Sequence, residues 1–100
     1  MKEERIRENI KKIKKIVVPT LKRNGVVGAG IFGSFVKGKV KKSSDVDIPI
    51  KFKGRKSLLD LARLEIELDK KLWRKVEILT YSSIHPLLKE RILKEEVVIL

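Results

Sequence analysis

Two aspartates, Asp45 and Asp47, stand at the start of one apolar run, and a Gly-Ser pair, Gly33-Ser34, closes another twelve residues upstream. A strand directs residues i and i+2 to one face, so the two carboxylates point together while Val46 and Ile48 point into a core. Side-by-side carboxylates repel each other. A cation between them removes that cost, and hard oxygen donors of this kind suit Mg²⁺. The Gly-Ser pair reads as the turn from a strand into a short helix, whose N-terminus offers free N–H groups to a phosphate. The Ser34 hydroxyl either adds a hydrogen bond to such an anion or caps the turn.

These residues need elements to hold them. Ile6, Ile10, Ile13, Ile16 and Val17 form one stripe of an amphipathic helix over residues 2–17, with Lys, Arg and Glu between them. Pro19 is expected to kink or restart that helix, which then stops at Asn24-Gly25. Residues 26–32 read as a buried strand. Gly28, Gly30 and Gly33 match the spacing of a dinucleotide fingerprint, but two of the three fall inside the strand, where that motif needs them after it. Ser34 stands where a phosphate-loop lysine would follow Gly33, so that motif fails too. Gly28 and Gly30 read instead as sites where neighbouring backbone approaches closely, or as small residues under a helix.

Residues 37–44 form a basic loop, either an electrostatic funnel for a triphosphate or a solvated turn. The strand from Asp45 continues through Val46, Ile48, Ile50 and Phe52, with Pro49 expected at a bend or a sheet edge. Ser57 and Asp60 make a capping-box-like start to a helix with an apolar face of Leu58, Leu61, Ala62, Leu64, Leu68 and Leu72. Glu67 and Lys71 are an i, i+4 pair on its exposed side. Residues 75–79 read as a third strand in which Glu77 alternates against Val76 and Ile78. Taken alone, Glu77 is the solvent face of an edge strand. His85-Pro86 opens a last helix with Leu87, Leu88, Ile92 and Leu93, His85 being a turn or capping residue. Residues 97–100 fit an edge strand.

Composition narrows the function. One hundred residues fit one domain, spanning 1–100. The absence of cysteine excludes disulfides and thiolate metal sites. No run is long enough to span a bilayer, so a soluble, cytoplasmic protein is expected. The net charge of +12 is uneven: residues 1–56 carry 17 Lys and Arg against 5 Asp and Glu, and residues 57–100 carry 8 of each. Such a field attracts nucleoside triphosphates, RNA or acidic protein surfaces, although a Lys-rich, Ile/Val-rich chain also fits a thermophile's surface. Five aromatics without an interleaved stacking pattern argue against nucleic-acid binding.

With Gly33-Ser34, Asp45-x-Asp47 and Glu77 together, the chain resembles the minimal nucleotidyltransferases, small relatives of the DNA polymerase β nucleotidyltransferase superfamily. The resemblance covers nearly the whole chain, including the Ile-Phe-Gly-Ser-Phe run at 31–35 and the closing Glu-Glu-Val-Val-Ile-Leu at 95–100. It implies an α+β fold with a small mixed sheet flanked by helices. It also implies Mg²⁺-dependent transfer of a nucleoside monophosphate, AMP above all, from an NTP to an acceptor. By role, Gly33, Ser34 and Lys37 would hold phosphates, while Asp45, Asp47 and Glu77 would be the catalytic carboxylates binding two Mg²⁺ ions. The family often works beside a HEPN-type toxin, in some pairs adding AMP to a tyrosine of it. Homo- or hetero-oligomers are compatible with that, and the alternative is a catalytically weak or inactive antitoxin that neutralises its partner by binding.

Three residues depart from the family pattern. Glu77 is one methylene longer than the usual aspartate, Lys37 replaces a frequent arginine, and Trp73 stands where a glycine commonly ends the preceding helix. Trp73 either covers a partner surface or packs.

Overall fold

The computed structural model of the chain describes residues 2–38 and 45–100. In chain order the elements are α1 (Lys2–Arg23), β1 (Val26–Ile31), α2 (Ser34–Lys37), β2 (Val46–Phe52), α3 (Leu58–Leu72), β3 (Val76–Thr80), a 3₁₀ turn (Tyr81–Ser83), α4 (Pro86–Glu95) and β4 (Val97–Val98). They build the expected α+β fold: one mixed sheet in the order β3-β2-β1-β4, with helices packed against it. β1 runs antiparallel to β2 and to β4, and β2 runs parallel to β3 through the α3 crossover. The basic-loop residues Lys39, Lys41 and Lys42 lie outside the described residues. Among the described residues no helix is long and apolar enough to cross a membrane.

The core follows from the two periodicities. Ile10, Ile13, Val17 and Leu21 of α1 and Leu64 and Leu68 of α3 are buried against Ala29, Ile31, Val46, Ile48, Ile50, Val76 and Ile78 of the sheet. Fully burying one such side chain stabilises the fold by about 1.5–3 kcal/mol. Ile16 sits at the edge of the α1 stripe and is partly exposed, and Leu58 and Ala62 fall outside the α3 core face.

Two of the three prolines, Pro19 and Pro49, are accommodated in ways that local rules do not anticipate. α1 runs through Pro19 without a break. Pro19 and Lys15 are both exposed, so water can serve the carbonyl that loses its donor. Pro49 is in an interior strand, not at an edge. The β1–β2 register places it opposite Gly30, at a position whose N–H would face β1. The ladder is interrupted there and resumes as the isolated bridge between Phe32 and Asp47. One missing bond is the local cost, and the fully buried Pro49 ring offsets it.

Side chains of α3 finish the sheet edge. β3 is an edge strand, and its outward N–H groups at Val76 and Ile78 donate to Asp69 Oδ1 (2.6 Å) and Glu65 Oε1 (2.9 Å). Those acids satisfy donors that an open edge would leave for another chain. α3 itself starts in a full capping box, in which the Ser57 Oγ accepts from the Asp60 N–H (3.2 Å) and Asp60 Oδ2 accepts from the Ser57 N–H (2.9 Å). α1 and α3 are joined by a polar cluster: Lys71 donates to the Thr20 hydroxyl (2.6 Å), and Glu67 pairs with both Arg23 and Lys71.

Candidate active site

The site forms where β1 turns into α2 and where β2 and β3 begin. Asp47 and Glu77 occupy the same register position on neighbouring parallel strands. Their flanking residues, Val46 and Ile48, Val76 and Ile78, are all buried in the core, so the alternation sends both acids to the opposite face. Asp47 is half-buried and Glu77 exposed. The Asp47 carboxyl is pushed up to about 6, mainly by burial, then by the charge of Glu77, a hydrogen bond with Glu77 and the charge of Asp45. An acid held in that state is short of positive charge, which is the observation that fits a divalent cation to this position.

Gly33 is the hinge of the arrangement. Its φ of 83° lies in the left-handed region, and a Cβ there would stand 2.6 Å from Asp47 Oδ2. Glycine is therefore required twice, for the backbone conformation and for the approach of the carboxylate. The Phe32 N–H donates to the Asp47 carbonyl (3.0 Å), locking the turn to β2. The Gly33 carbonyl accepts from the Val36 and Lys37 N–H groups, so α2 begins at Ser34 directly beside Asp47. Buried Phe35 anchors α2, and the Arg74 guanidinium lies over its ring (5.2 Å to the centroid), tying the entry of β3 to the same corner.

The expected site residues do not all converge equally. Asp47, Glu77, Gly33 and Ser34 share one corner. Asp45 precedes β2 and reaches Asp47 electrostatically. Among the described residues no three His, Cys, Asp or Glu side chains are drawn into one metal-holding cluster. The donor set in place is thus the Asp47–Glu77 pair with Asp45 beside it. Lys37 keeps its ammonium 3.7 Å from Glu95 Oε2 of α4 and 5.9 Å from the Phe32 ring centroid. Phe32 and Asp47 are cross-strand partners, so Lys37 lies at the rim of the same face. His85 is a cap, its Nδ1 accepting from the Leu87 N–H (3.2 Å).

A second polar contact went unread in the sequence. The Tyr81 hydroxyl donates to Glu96 Oε2 (2.6 Å), and burial followed by this acid holds the phenol above its usual range. The same oxygen lies 2.6 Å from where a Gly30 Cβ would be. Gly30 thus makes room for a carboxylate and for the Val97 carbonyl, whereas a Cβ at Gly28 would meet only ordinary contacts at 3.6 Å and beyond. The one sequence signal was the run of small residues in β1, which does not separate the two glycines.

The corner thus sets a strand–turn–helix carrying Gly-Ser beside a carboxylate pair on adjoining parallel strands. The chain belongs to the polymerase beta nucleotidyltransferase family, whose model, described as "Polymerase beta, Nucleotidyltransferase", matches residues 8–100. It is an enzyme of that class. A Methanocaldococcus jannaschii protein carrying the provisional name protein adenylyltransferase is 51% identical over 92 residues, 92% of this chain and 99% of that one. A solved structure described as a minimal nucleotidyltransferase superposes with a TM-score of 0.79 at 31% identity, covering 90% of this chain and 92% of that chain. The fold also matches, with a TM-score of 0.73 at 15% identity, a chain in the structure of a tri-AMPylated Shewanella oneidensis HEPN toxin in complex with MNT antitoxin. That match covers 90% of this chain and 71% of the other.

Proposed function

We propose that this chain transfers AMP from ATP to a tyrosine hydroxyl of a HEPN-type partner protein and silences that partner by doing so. The observation that carries the reading is the Asp47–Glu77 carboxylate pair at the mouth of the Gly33-Ser34 turn. A relative with the provisional name protein adenylyltransferase and a fold match from a complex with an AMPylated HEPN toxin support this acceptor class.

Asp47, Glu77 and Asp45 would hold Mg²⁺, which when bound neutralises phosphate oxygens on the attacking and leaving sides. The Gly33-Ser34 backbone and hydroxyl bind the β- and γ-phosphates at the start of α2. Lys37 supplies a mobile positive charge at the rim, released from Glu95 when a stronger anion arrives. The acceptor oxygen forms a bond to the α-phosphorus as the bond from that phosphorus to the bridging β-oxygen breaks. Pyrophosphate departs, and the hydroxyl proton passes to a carboxylate oxygen of the pair.

The test is incubation of the protein and its co-encoded partner with ATP and Mg²⁺, read by intact mass of both chains. A gain of one or more AMP masses on the partner, absent in Asp47→Asn, is expected. No transfer, with the partner still neutralised by both wild type and Asp47→Asn, would replace the reading with antitoxin action by binding alone.

A further inference from the structure

One open space lies well away from the carboxylates. A groove of about 760 Å³ lies at the other end of β2 and β3, between the start of α3, the 3₁₀ turn and α4. Its wall includes Lys51, four residues beyond Asp47 and so roughly 13 Å away along the strand.

Two features of the groove ask for an occupant of one kind. Leu58, Leu61 and Leu93 line it, and Leu58 is 84% and Leu93 54% exposed, a large apolar area left in water. Among its lining cations are Lys51, Arg55 and Lys89, and among the described residues no carboxylate lines the space. Among the described residues those three cations enter no ion pair, while Arg23, Lys37, Lys71, Arg91 and Lys94 all do. A small anion would satisfy the cations and leave the leucines wet. A purely apolar surface would bury the cations without partners.

We infer that the groove is a docking site for an acidic, leucine-bearing segment of a partner protein. Carboxylates of the segment pair with Lys51, Arg55 and Lys89 while its apolar side chains cover Leu58 and Leu93. Because the groove is at the far end of the strands, an occupant leaves the Asp47 corner open. The inference therefore stands whether or not the chain transfers AMP.

The experiment is fluorescence anisotropy on the full chain with a dye-labelled Glu/Leu amphipathic peptide of about fifteen residues. Comparison probes are the same peptide with Ser for Leu and an oligouridine. The Arg55→Glu, Lys89→Glu double variant should weaken the Glu/Leu peptide about tenfold or more, and Leu93→Ser about threefold to tenfold. The Lys11→Glu, Lys14→Glu control, which makes the same charge change on the exposed face of α1, should alter binding less than about twofold. Circular dichroism confirms that each variant is folded. Equal weakening by the α1 control would reduce the effect to the overall field and overturn the proposal. Unchanged binding by Leu93→Ser together with full binding of the Ser peptide would overturn it in favour of a simple anion site. Tighter, competing binding by oligouridine would overturn it in favour of nucleic acid.

Discussion

The two ends of the β2–β3 pair carry opposite chemistry. At the leading end, Asp47 and Glu77 crowd negative charge into a half-buried corner closed by Gly33. At the trailing end, Lys51, Arg55 and Lys89 ring a groove whose leucines remain in water. One end is compact, with a residue-specific backbone; the other is open and built from ordinary helix and strand positions. A parallel pair with a helical crossover gathers its loops separately at each end, so the corner and the groove are shaped by different residues and neither constrains the other.

The contrast predicts very different tolerances. The largest effect is expected at Asp47: Asp47→Asn should cut AMP transfer about 10²–10³-fold, measured in single turnover, while the fold persists. Gly33→Ala comes next. The left-handed φ and the 2.6 Å approach to Asp47 Oδ2 should destabilise the protein by about 1–3 kcal/mol in urea melts and displace the carboxylate, lowering transfer as well. If Gly33→Ala melts like wild type, the leading end is less constrained than its geometry states.

A smaller effect concerns pH. The folded Asp47 carboxyl is raised to about 6 from an ordinary value near 3.8, so its protonated form is favoured by folding. Its stability contribution is complete below about 4 and is lost as pH rises through 6. Metal-free protein should therefore lose thermal stability between about pH 4 and 6 through this group, and Asp47→Asn should flatten that slope. Asp60, lowered by its capping bonds to Ser57, has the opposite sign: its contribution disappears as pH falls through its depressed value, below the Asp47 window. Melting curves from pH 3 to 8 separate the two. The smallest effect is at the C-cap of α3. Trp73 has φ 56° and ψ 32°, a left-handed conformation costing a non-glycine residue about 1–2 kcal/mol. Against that, glycine gives up about 0.5–1 kcal/mol of extra chain entropy. Trp73→Gly should thus raise stability by up to about 1 kcal/mol in equilibrium unfolding.

Much of this architecture was legible in the residues because burial imposes period and sequence carries period. Ile10, Ile13 and Val17, or Val46, Ile48 and Ile50, announce their elements unaided, and Ser57 with Asp60 announces where α3 begins. The Gly33-Ser34 turn and the Asp-x-Asp start of β2 were readable because glycine and carboxylates are costly unless something uses them. Long-range partners were not. Pro49 looked wrong for an interior strand because nothing local shows that its missing donor faces Gly30. Gly30 and Gly28 look alike until Glu96 arrives from 66 residues away. Leu58, Leu87, Leu88 and Leu93 have the spacing of core residues yet stay exposed, since periodicity says which side is apolar and not whether anything lies against it.

Trp73 is the chain's single tryptophan, 90% exposed, in the short link between α3 and β3 just ahead of Glu77. The protein therefore carries its own optical label at the carboxylate end. Excited selectively, this indole should emit as one fully hydrated species, to the red and open to quenching by iodide. A macromolecule seated over the Asp47 corner would shift that emission to the blue and shield it from quencher. One seated in the distant leucine groove would leave the spectrum as it is, so a single emission scan reports which end of the sheet has been taken.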